Sequence, residues 1–173
     1  MQNVQVTSQE EVEYRWLQDF GYLGEFESKE CQEFLQLVNR IYAQDGETLF
    51  EAGERGHQIF IIRQGQVQMG RKAKRGQWMD MGPFGCVNMD EDQASQVWHE
   101  RVTLGEGDCV GEVTFKLGQT HEQTAMAVGD VSLLCLNVAQ LRHLAKNHPK
   151  LCRCFSDGLM RSLKALEQKR TVA

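Results

Sequence analysis

No apolar run in this chain of 173 residues approaches the roughly 18 consecutive apolar residues that a membrane-spanning helix needs. The N-terminus is polar and acidic, whereas a secretory signal begins with basic residues and continues into an apolar stretch. Together these two absences predict a soluble, cytoplasmic domain that makes no direct contact with a membrane.

Spacings typical of metal sites and of catalytic residues are also missing. The six cysteines are scattered apart from Cys152 and Cys154, and residues two apart on a helix point to different sides. We therefore expect reduced, mostly buried thiols in a reducing compartment and no metal. The histidines include no His-x-His pair, and no Ser/His/Asp or Cys/His arrangement is suggested. The sequence thus predicts no catalytic residues, and a cupin-like metal enzyme is a remote alternative.

A basic face is absent as well. The net charge is −5, and the basic residues are dispersed except for Arg71, Lys72, Lys74 and Arg75, which we interpret as the solvated end of a hairpin. Proteins that bind nucleic acids usually carry a basic patch. We therefore expect no direct binding of nucleic acid.

Helical periodicity is confined to the two ends of the chain. Val12, Trp16 and Phe20 repeat every four residues and predict a helix over 9–20, and a second helix follows Ser28. The N-terminal helices are thus expected within 8–38. Near the other end, Asn137 and Gln140 have the spacing of a helix cap, and His148-Pro149 interrupts the helix that follows. The last helix carries one apolar stripe, formed by Leu151, Phe155, Leu159, Leu163 and Leu166, and the C-terminal helices are expected over 137–169.

Between the helices the apolar period changes to two, which is typical of strands. Residues 58–63 and 66–71 alternate, and Gln64-Gly65 between them is expected to form a tight hairpin. Shorter strands are predicted over 40–44, 48–50, 77–81, 101–104, 123–128 and 131–136, with a turn at Gly129-Asp130 and a long surface loop over 83–99. The prediction is a mainly β domain with flanking helices, in which residues 40–136 form an antiparallel β-roll or jelly-roll barrel of about eight strands. We expect one domain over 1–173.

The segment 104–127 carries the most functional information. Gly105 and Gly107 form a turn that leads to Gly111-Glu112, and a short apolar stretch that could form one or two helical turns follows. The unpaired N–H groups at a helix start attract a phosphate or carboxylate. The spacing of the glycines is not the G-x-G-x-x-G of a dinucleotide fold. Glu112 could contact a ligand, or could simply be a carboxylate stabilised by the helix dipole.

These elements, in this order, resemble the cyclic nucleotide-binding domain of bacterial catabolite regulators, kinase regulatory subunits and gated channels. Residues 46–54, Gly-Glu-Thr-Leu-Phe-Glu-Ala-Gly-Glu, are similar to the first glycine-turn signature of the family. Phe60, Ile62, Gly65 and Val67 match the pattern that follows it. Residues 111–115 are similar to the start of the phosphate-binding cassette, and residues 136–144 with the final helix resemble the hinge and lid helices. The resemblance implies a short cassette helix and a lid that moves when ligand binds.

In the family, the cassette amides and an arginine hold the cyclic phosphate, while a glutamate takes the ribose 2′-hydroxyl. Glu112 matches the glutamate, His121 stands at the place of the arginine, and Glu122 follows it. Histidine near pH 7 is mostly neutral and offers at most one donor per nitrogen, so the exchange weakens phosphate binding. His121 is as consistent with an exposed loop residue as with a phosphate contact. The candidate ligand-binding residues are Gly111, Glu112, Val113, Thr114, His121, Glu122 and Thr124.

The function expected from the resemblance is a regulatory sensor, not an enzyme. It would have no resident cofactor, and its ligand would be a small anion such as cyclic AMP or cyclic GMP. Because no helix-turn-helix follows before Ala173, occupancy is expected to reach a protein partner, or a second copy of the chain, through the C-terminal helix. The alternative is a degenerate domain that binds no cyclic nucleotide and acts as an interaction or dimerisation scaffold.

Overall fold

A computed structural model describes residues 8–23, 28–72, 78–80, 86–88, 98–111 and 119–172. The helices are α1 (Ser8–Asp19), α2 (Ser28–Leu37), α3 (Val138–Asn147) and α4 (Pro149–Val172). The strands in these ranges are β1 (Asn39–Ala43), β2 (Thr48–Phe50), β3 (Gln58–Lys72), β4 (Trp78–Asp80), β5 (Cys86–Asn88), β6 (Trp98–Leu104), β7 (Cys109–Val110) and β8 (Thr124–Asn137). The prediction of a mainly antiparallel β domain with flanking helices is confirmed.

Two long antiparallel strands, β3 and β8, form the centre of the main sheet. They pair from Gln58 opposite Asn137 to Gly70 opposite Thr124. The other edge of β8 pairs with β1 and β2, and β3 also pairs with β6 and β7. β4 and β5 form a separate two-stranded sheet. The shorter strands of the main sheet are thus arranged around the pair of β3 and β8.

The predicted hairpin at Gln64-Gly65 is wrong, as is the predicted turn at Gly129-Asp130. The chain does not reverse at either place, since β3 and β8 continue through both with shifted register. Gly65 has φ +91°, and a methyl group there would lie 2.6 Å from the carbonyl oxygen of Asp130. Gly65 therefore serves a strand irregularity where two strands approach closely, a role that glycine also has in sheets. Gly129 has a positive φ of +69°, but a methyl group there would meet nothing within 4 Å.

The predicted loop over 83–99 also needs correction. Residues 86–88 form β5, and β6 begins at Trp98 instead of Arg101. A strand of three residues shows little alternation, so the pattern gave only a weak signal for β5. Residues 83–85 and 89–97 lie outside the described part of the chain.

The sheet separates two apolar clusters, and alternation along the central strands assigns residues to each. Ile59 and Ile61 face the helices together with Phe34, Leu151 and Phe155. The intervening Phe60 and Ile62 face the other side, where the roll interior contains Phe50, Val67, Leu104 and Leu133. Period-two alternation sends successive side chains to opposite faces. One side of the sheet thus receives the helices and the other forms the floor of the candidate site.

The apolar repeat of α1 is only partly buried. Trp16 is buried, but Val12 is 56% and Phe20 is 42% exposed. Glu13 is buried instead, and its carboxylate accepts hydrogen bonds from the Arg40 guanidinium. A buried position can tolerate a carboxylate that is paired with a cation. The apolar pattern of α1 does not reveal such a residue.

The capped start of α3 is confirmed. The side chain of Asn137 accepts from the N–H of Gln140 at 2.9 Å, and the Gln140 side chain accepts from the N–H of Asn137 at 2.7 Å. At the end of α3, the imidazole of His148 lies 2.6 Å from the carboxylate of Glu33 on α2. The junction between α3 and α4 is thereby connected to the N-terminal helices.

Candidate functional site

His121 occupies the centre of the described part of the candidate site. The strand-like segment 119–121 pairs with the turn after β2. The N–H of Gly53 donates to the carbonyl of His121 at 2.7 Å, and the N–H of His121 donates to the carbonyl of Glu54 at 2.7 Å. Two short backbone hydrogen bonds thus hold the backbone of this residue against the glycine turn over 51–56.

The His121 side chain is buried and stacked. Only 7% of the residue is exposed, and its ring centroid lies 3.7 Å from that of Phe50 with an interplanar angle of 14°. Phe50 in turn stacks on Phe60 at 6.2 Å. The interpretation of His121 as an exposed loop residue is therefore wrong.

Gly111 directly follows β7 and lies beside the same ring. Its φ is +90°, and a methyl group on it would lie 2.7 Å from the carbonyl oxygen of Gln58 and 3.8 Å from Cε1 of His121. Only glycine fits here, because any side chain would both strain the backbone and collide with β3. The start of the segment that resembles the cassette is thus held close to the imidazole.

Burial lowers the pKa of His121 below its ordinary value of 6.5. The carboxylate of Glu54 raises the pKa in part, and His57 lowers it further. Desolvation penalises the charged form of a histidine. The imidazole is consequently neutral at pH 7 in the free domain.

Protonation of His121 should destabilise the free domain. Because the folded pKa lies below the ordinary value, the unfolded chain takes up the proton first, and the unfolding free energy falls as the pH drops below about 6.5. The loss ends once the pH is below the folded pKa. Denaturant titration of wild type and His121→Gln across this range should show a flatter pH dependence for the variant; parallel curves would contradict the buried neutral imidazole.

Glu122 and Thr124 face different surroundings. The side chain of Glu122 is 79% exposed, and its carboxylate lies 3.3 Å from the Arg71 guanidinium on β3. Thr124 is buried, and its Oγ1 accepts from the N–H of Ala52 at 3.1 Å. The hydroxyl of Thr124 thus helps to hold the glycine turn, while the charge of Glu122 is at the surface and partly offset. Glu112, Val113 and Thr114 lie outside the described residues.

The path from this site to the C-terminal helix was not visible in the sequence. Ser162 on α4 accepts at Oγ from the N–H of Cys109, two residues before Gly111, at 3.0 Å. The hydroxyl of Tyr22 donates to the carbonyl of Gly107 at 2.8 Å. Gly158 allows α4 to approach the ring of Tyr22, because a methyl group there would lie 2.9 Å from Tyr22 Cδ1. The glycine segment before the cassette is therefore hydrogen-bonded to α4 and to the turn after α1.

Phe50 and Ser162 are site residues that the sequence interpretation missed. The position of Phe50 could have been inferred. It is a strand residue in the segment that resembles the glycine-turn signature of the family, and such a residue points into the roll. Ser162 carries no comparable signal because it is one polar residue in a long helix.

The free cysteines have the properties of structural thiols. Cys31, Cys109, Cys135, Cys152 and Cys154 are unbridged. Burial raises the pKa of Cys31 and of Cys135 to about 11, so both remain protonated and weakly nucleophilic. Within the described ranges, no group of three or more His, Cys, Asp or Glu side chains is placed to hold a metal, and no helix is long and apolar enough to cross a membrane.

Comparison with known proteins assigns the chain to a class of regulatory β-roll domains. A family model described as the cyclic nucleotide-binding domain matches residues 40–148. The chain belongs to the cyclic nucleotide-binding domain family. This family is regulatory and not catalytic, so the prediction that the domain is not an enzyme is confirmed.

Solved structures share the fold at low identity. A cyclic nucleotide-binding domain from Methylobacillus flagellatus is 17% identical with a TM-score of 0.68, covering 92% of this chain and 80% of that one. The Thermus thermophilus catabolite activator protein is 19% identical with a TM-score of 0.60, covering 88% and 62%. The regulatory subunit of a cAMP-independent protein kinase A from Trypanosoma brucei is 19% identical with a TM-score of 0.58, covering 92% and 46%. No curated protein matches the sequence significantly.

Proposed function

We propose that this domain is a cytoplasmic sensor that binds a small anionic ligand of the cyclic nucleotide type and signals its occupancy through α4. The observation that carries the proposal is the position of His121. It stands where the family has its phosphate-binding arginine, and its ring is stacked on Phe50 beside Gly111. An imidazole beside the start of the cassette suits an anion whose remaining contacts come from backbone N–H groups.

The remaining ligand contacts follow from the family resemblance. The N–H groups at Gly111, Glu112, Val113 and Thr114 would cradle the phosphate, and the Glu112 carboxylate would accept from the ribose 2′-hydroxyl. Thr124 supports the turn behind His121 through its bond to Ala52. Glu122 has its charge at the surface, which reduces the repulsion expected from a carboxylate next to the phosphate.

Transmission through α4 is supported by the bond between Ser162 and Cys109. If the ligand draws the cassette inward, the strand segment before Gly111 moves with it. Ser162 on α4 must then move as well, or its hydrogen bond from the N–H of Cys109 breaks. An effect of this kind biases an equilibrium between two positions of α4. The receiver of the signal would be a protein partner or a second copy of the chain bound through α4.

Glu112→Ala tests the ligand site directly. Calorimetric titration with cyclic AMP and cyclic GMP should show binding to the wild type that the variant weakens roughly tenfold to a hundredfold, because a hydrogen bond to a charged group contributes about 1.5–3 kcal/mol. Glu51→Ala is the matched control, since it removes one exposed carboxylate near the same turn and should bind as the wild type does. Equal affinity of all three proteins would contradict the assigned role of Glu112.

A scaffold without a cyclic nucleotide ligand is the second candidate. It is favoured by the neutral state of His121, which supplies no fixed positive charge, and by the same fold in a kinase subunit described as cAMP-independent. Absence of any binding heat with either nucleotide, together with concentration-dependent self-association in sedimentation, would support the scaffold over the sensor.

A further inference from the structure

The surroundings of the His121 ring combine burial with a position against the proposed anion site. The imidazole is covered on one face by Phe50, and its Cε1 lies 3.8 Å from the point where a side chain on Gly111 would begin. An anion held at the start of the cassette would therefore lie next to an imidazole with little solvent around it. At low exposure, the interaction between an anion and an adjacent cation is strong.

Among the described residues, the groups that shift the titration of this ring are a carboxylate and a second imidazole. From the turn after β2, the carboxylate of Glu54 and the imidazole of His57 act on it in opposite directions. At the end of β3, Arg71 is paired with Glu122 at the surface. The neighbouring Phe50 and Gly111 carry no charge. Glu112 and Lys116 belong to the segment outside the described residues.

We propose that ligand binding at this site is coupled to the uptake of a proton by the His121 imidazole, so that a phosphate-containing ligand binds more tightly as the pH falls. The inference rests on the proposed function and specifies how the same site is regulated. An arginine would hold the phosphate equally well at any physiological pH. A buried histidine carries a positive charge only after it has gained a proton, and a bound anion favours that uptake.

The coupling has a defined sign. The free imidazole has a pKa lowered by burial, and a bound anion raises that pKa because it favours the charged form. Between the two values the affinity should rise by up to about tenfold for each unit of decreasing pH, and outside them it should level off. The domain would then report ligand and acidity together.

Calorimetric titration of the full chain with cyclic AMP, and separately with cyclic GMP, tests the coupling between about pH 5 and pH 8. Performing the titrations in buffers with different heats of ionisation measures the protons taken up per ligand. The wild type should take up close to one proton in the window where its affinity changes. His121→Gln should bind with little pH dependence, whereas His143→Gln, which removes an exposed histidine on α3, should behave as the wild type does.

A second measurement uses the wild type alone and therefore does not depend on whether the His121 variant folds. Titration of the wild-type imidazole by NMR should give a higher pKa for His121 with ligand than without it. Binding that is independent of pH, with no proton uptake and an unchanged His121 pKa, would overturn the coupling and leave the proposed function intact. Absence of binding throughout the range would overturn the proposed function itself, and the coupling with it.

Discussion

Replacing Phe155 with alanine is expected to lower the unfolding free energy by about 3–5 kcal/mol. Its ring is fully buried, with its centroid 5.2 Å from that of Phe34 and 5.8 Å from that of Tyr22. Removal of the ring would leave a cavity between α4, α2 and the turn after α1. Denaturant unfolding measures the loss.

Phe20→Ala is the control for this prediction. It removes the same ring from the end of α1, where 42% of the residue is exposed, so the lost burial is smaller and the site can relax. Its cost should be well below that of Phe155→Ala. Equal losses of unfolding free energy in the two variants would show that the contact of Phe155 with Phe34 and Tyr22 is not the stabilising one.

Gly111→Ala should cost roughly 3 kcal/mol of stability and abolish ligand binding. The positive φ of +90° is strained for alanine by about 1–2 kcal/mol. The added methyl group also lies 2.7 Å from the backbone oxygen of Gln58, which cannot rotate away as a side chain could. Either β3 or the start of the cassette must shift, and overpacking of this kind costs about 1–3 kcal/mol.

Gly46→Ala separates the two contributions to that cost. Gly46 also has a positive φ, +77°, but a methyl group there meets nothing within 4 Å. Only the backbone strain should appear, so thermal and denaturant unfolding should show a smaller loss than for Gly111→Ala. If Gly111→Ala loses no more stability than Gly46→Ala, the close approach to Gln58 is unimportant.

The sequence predicted the elements of this fold better than their connections. Residues 48–50 form a strand with the expected bounds, and the Asn137 cap starts α3 as its spacing indicated. The hairpins failed because Gly65 and Gly129 serve strand irregularities, and glycine signals a positive φ without saying whether the chain reverses. Which strands pair is decided by contacts far apart in the chain, so local alternation cannot give it.

For the candidate site, the sequence likewise predicted which residues belong to it better than how their side chains are placed. The resemblance assigned Gly111 and His121 to one ligand site, and the two residues lie close together in the structure, while their contact with a ligand stays a prediction. The burial of His121 could not be read from its flanking residues, because it depends on Phe50 and on the backbone of Gly53 and Glu54. Likewise, the surface position of Glu122 follows from its pairing with Arg71, which is 51 residues away in sequence.

The apolar stripe of the last helix shows how far a pattern can go. It correctly indicated a buried face, since Leu151 and Phe155 are buried in the helical cluster and Leu159 packs against it. The stripe could not say what the face covers. In the structure that face covers α2 and the turn after α1, and the use of α4 by a second protein or a second copy remains a prediction.

Binding of cyclic AMP and cyclic GMP to His121→Arg at neutral pH tests the central claim most directly. The substitution supplies a permanent charge and a two-pronged donor at the place that the family gives to arginine. With folding confirmed by thermal unfolding, the variant should bind roughly tenfold to a hundredfold more tightly than the wild type. Unchanged affinity in a folded variant would remove His121 from the phosphate site and contradict the account.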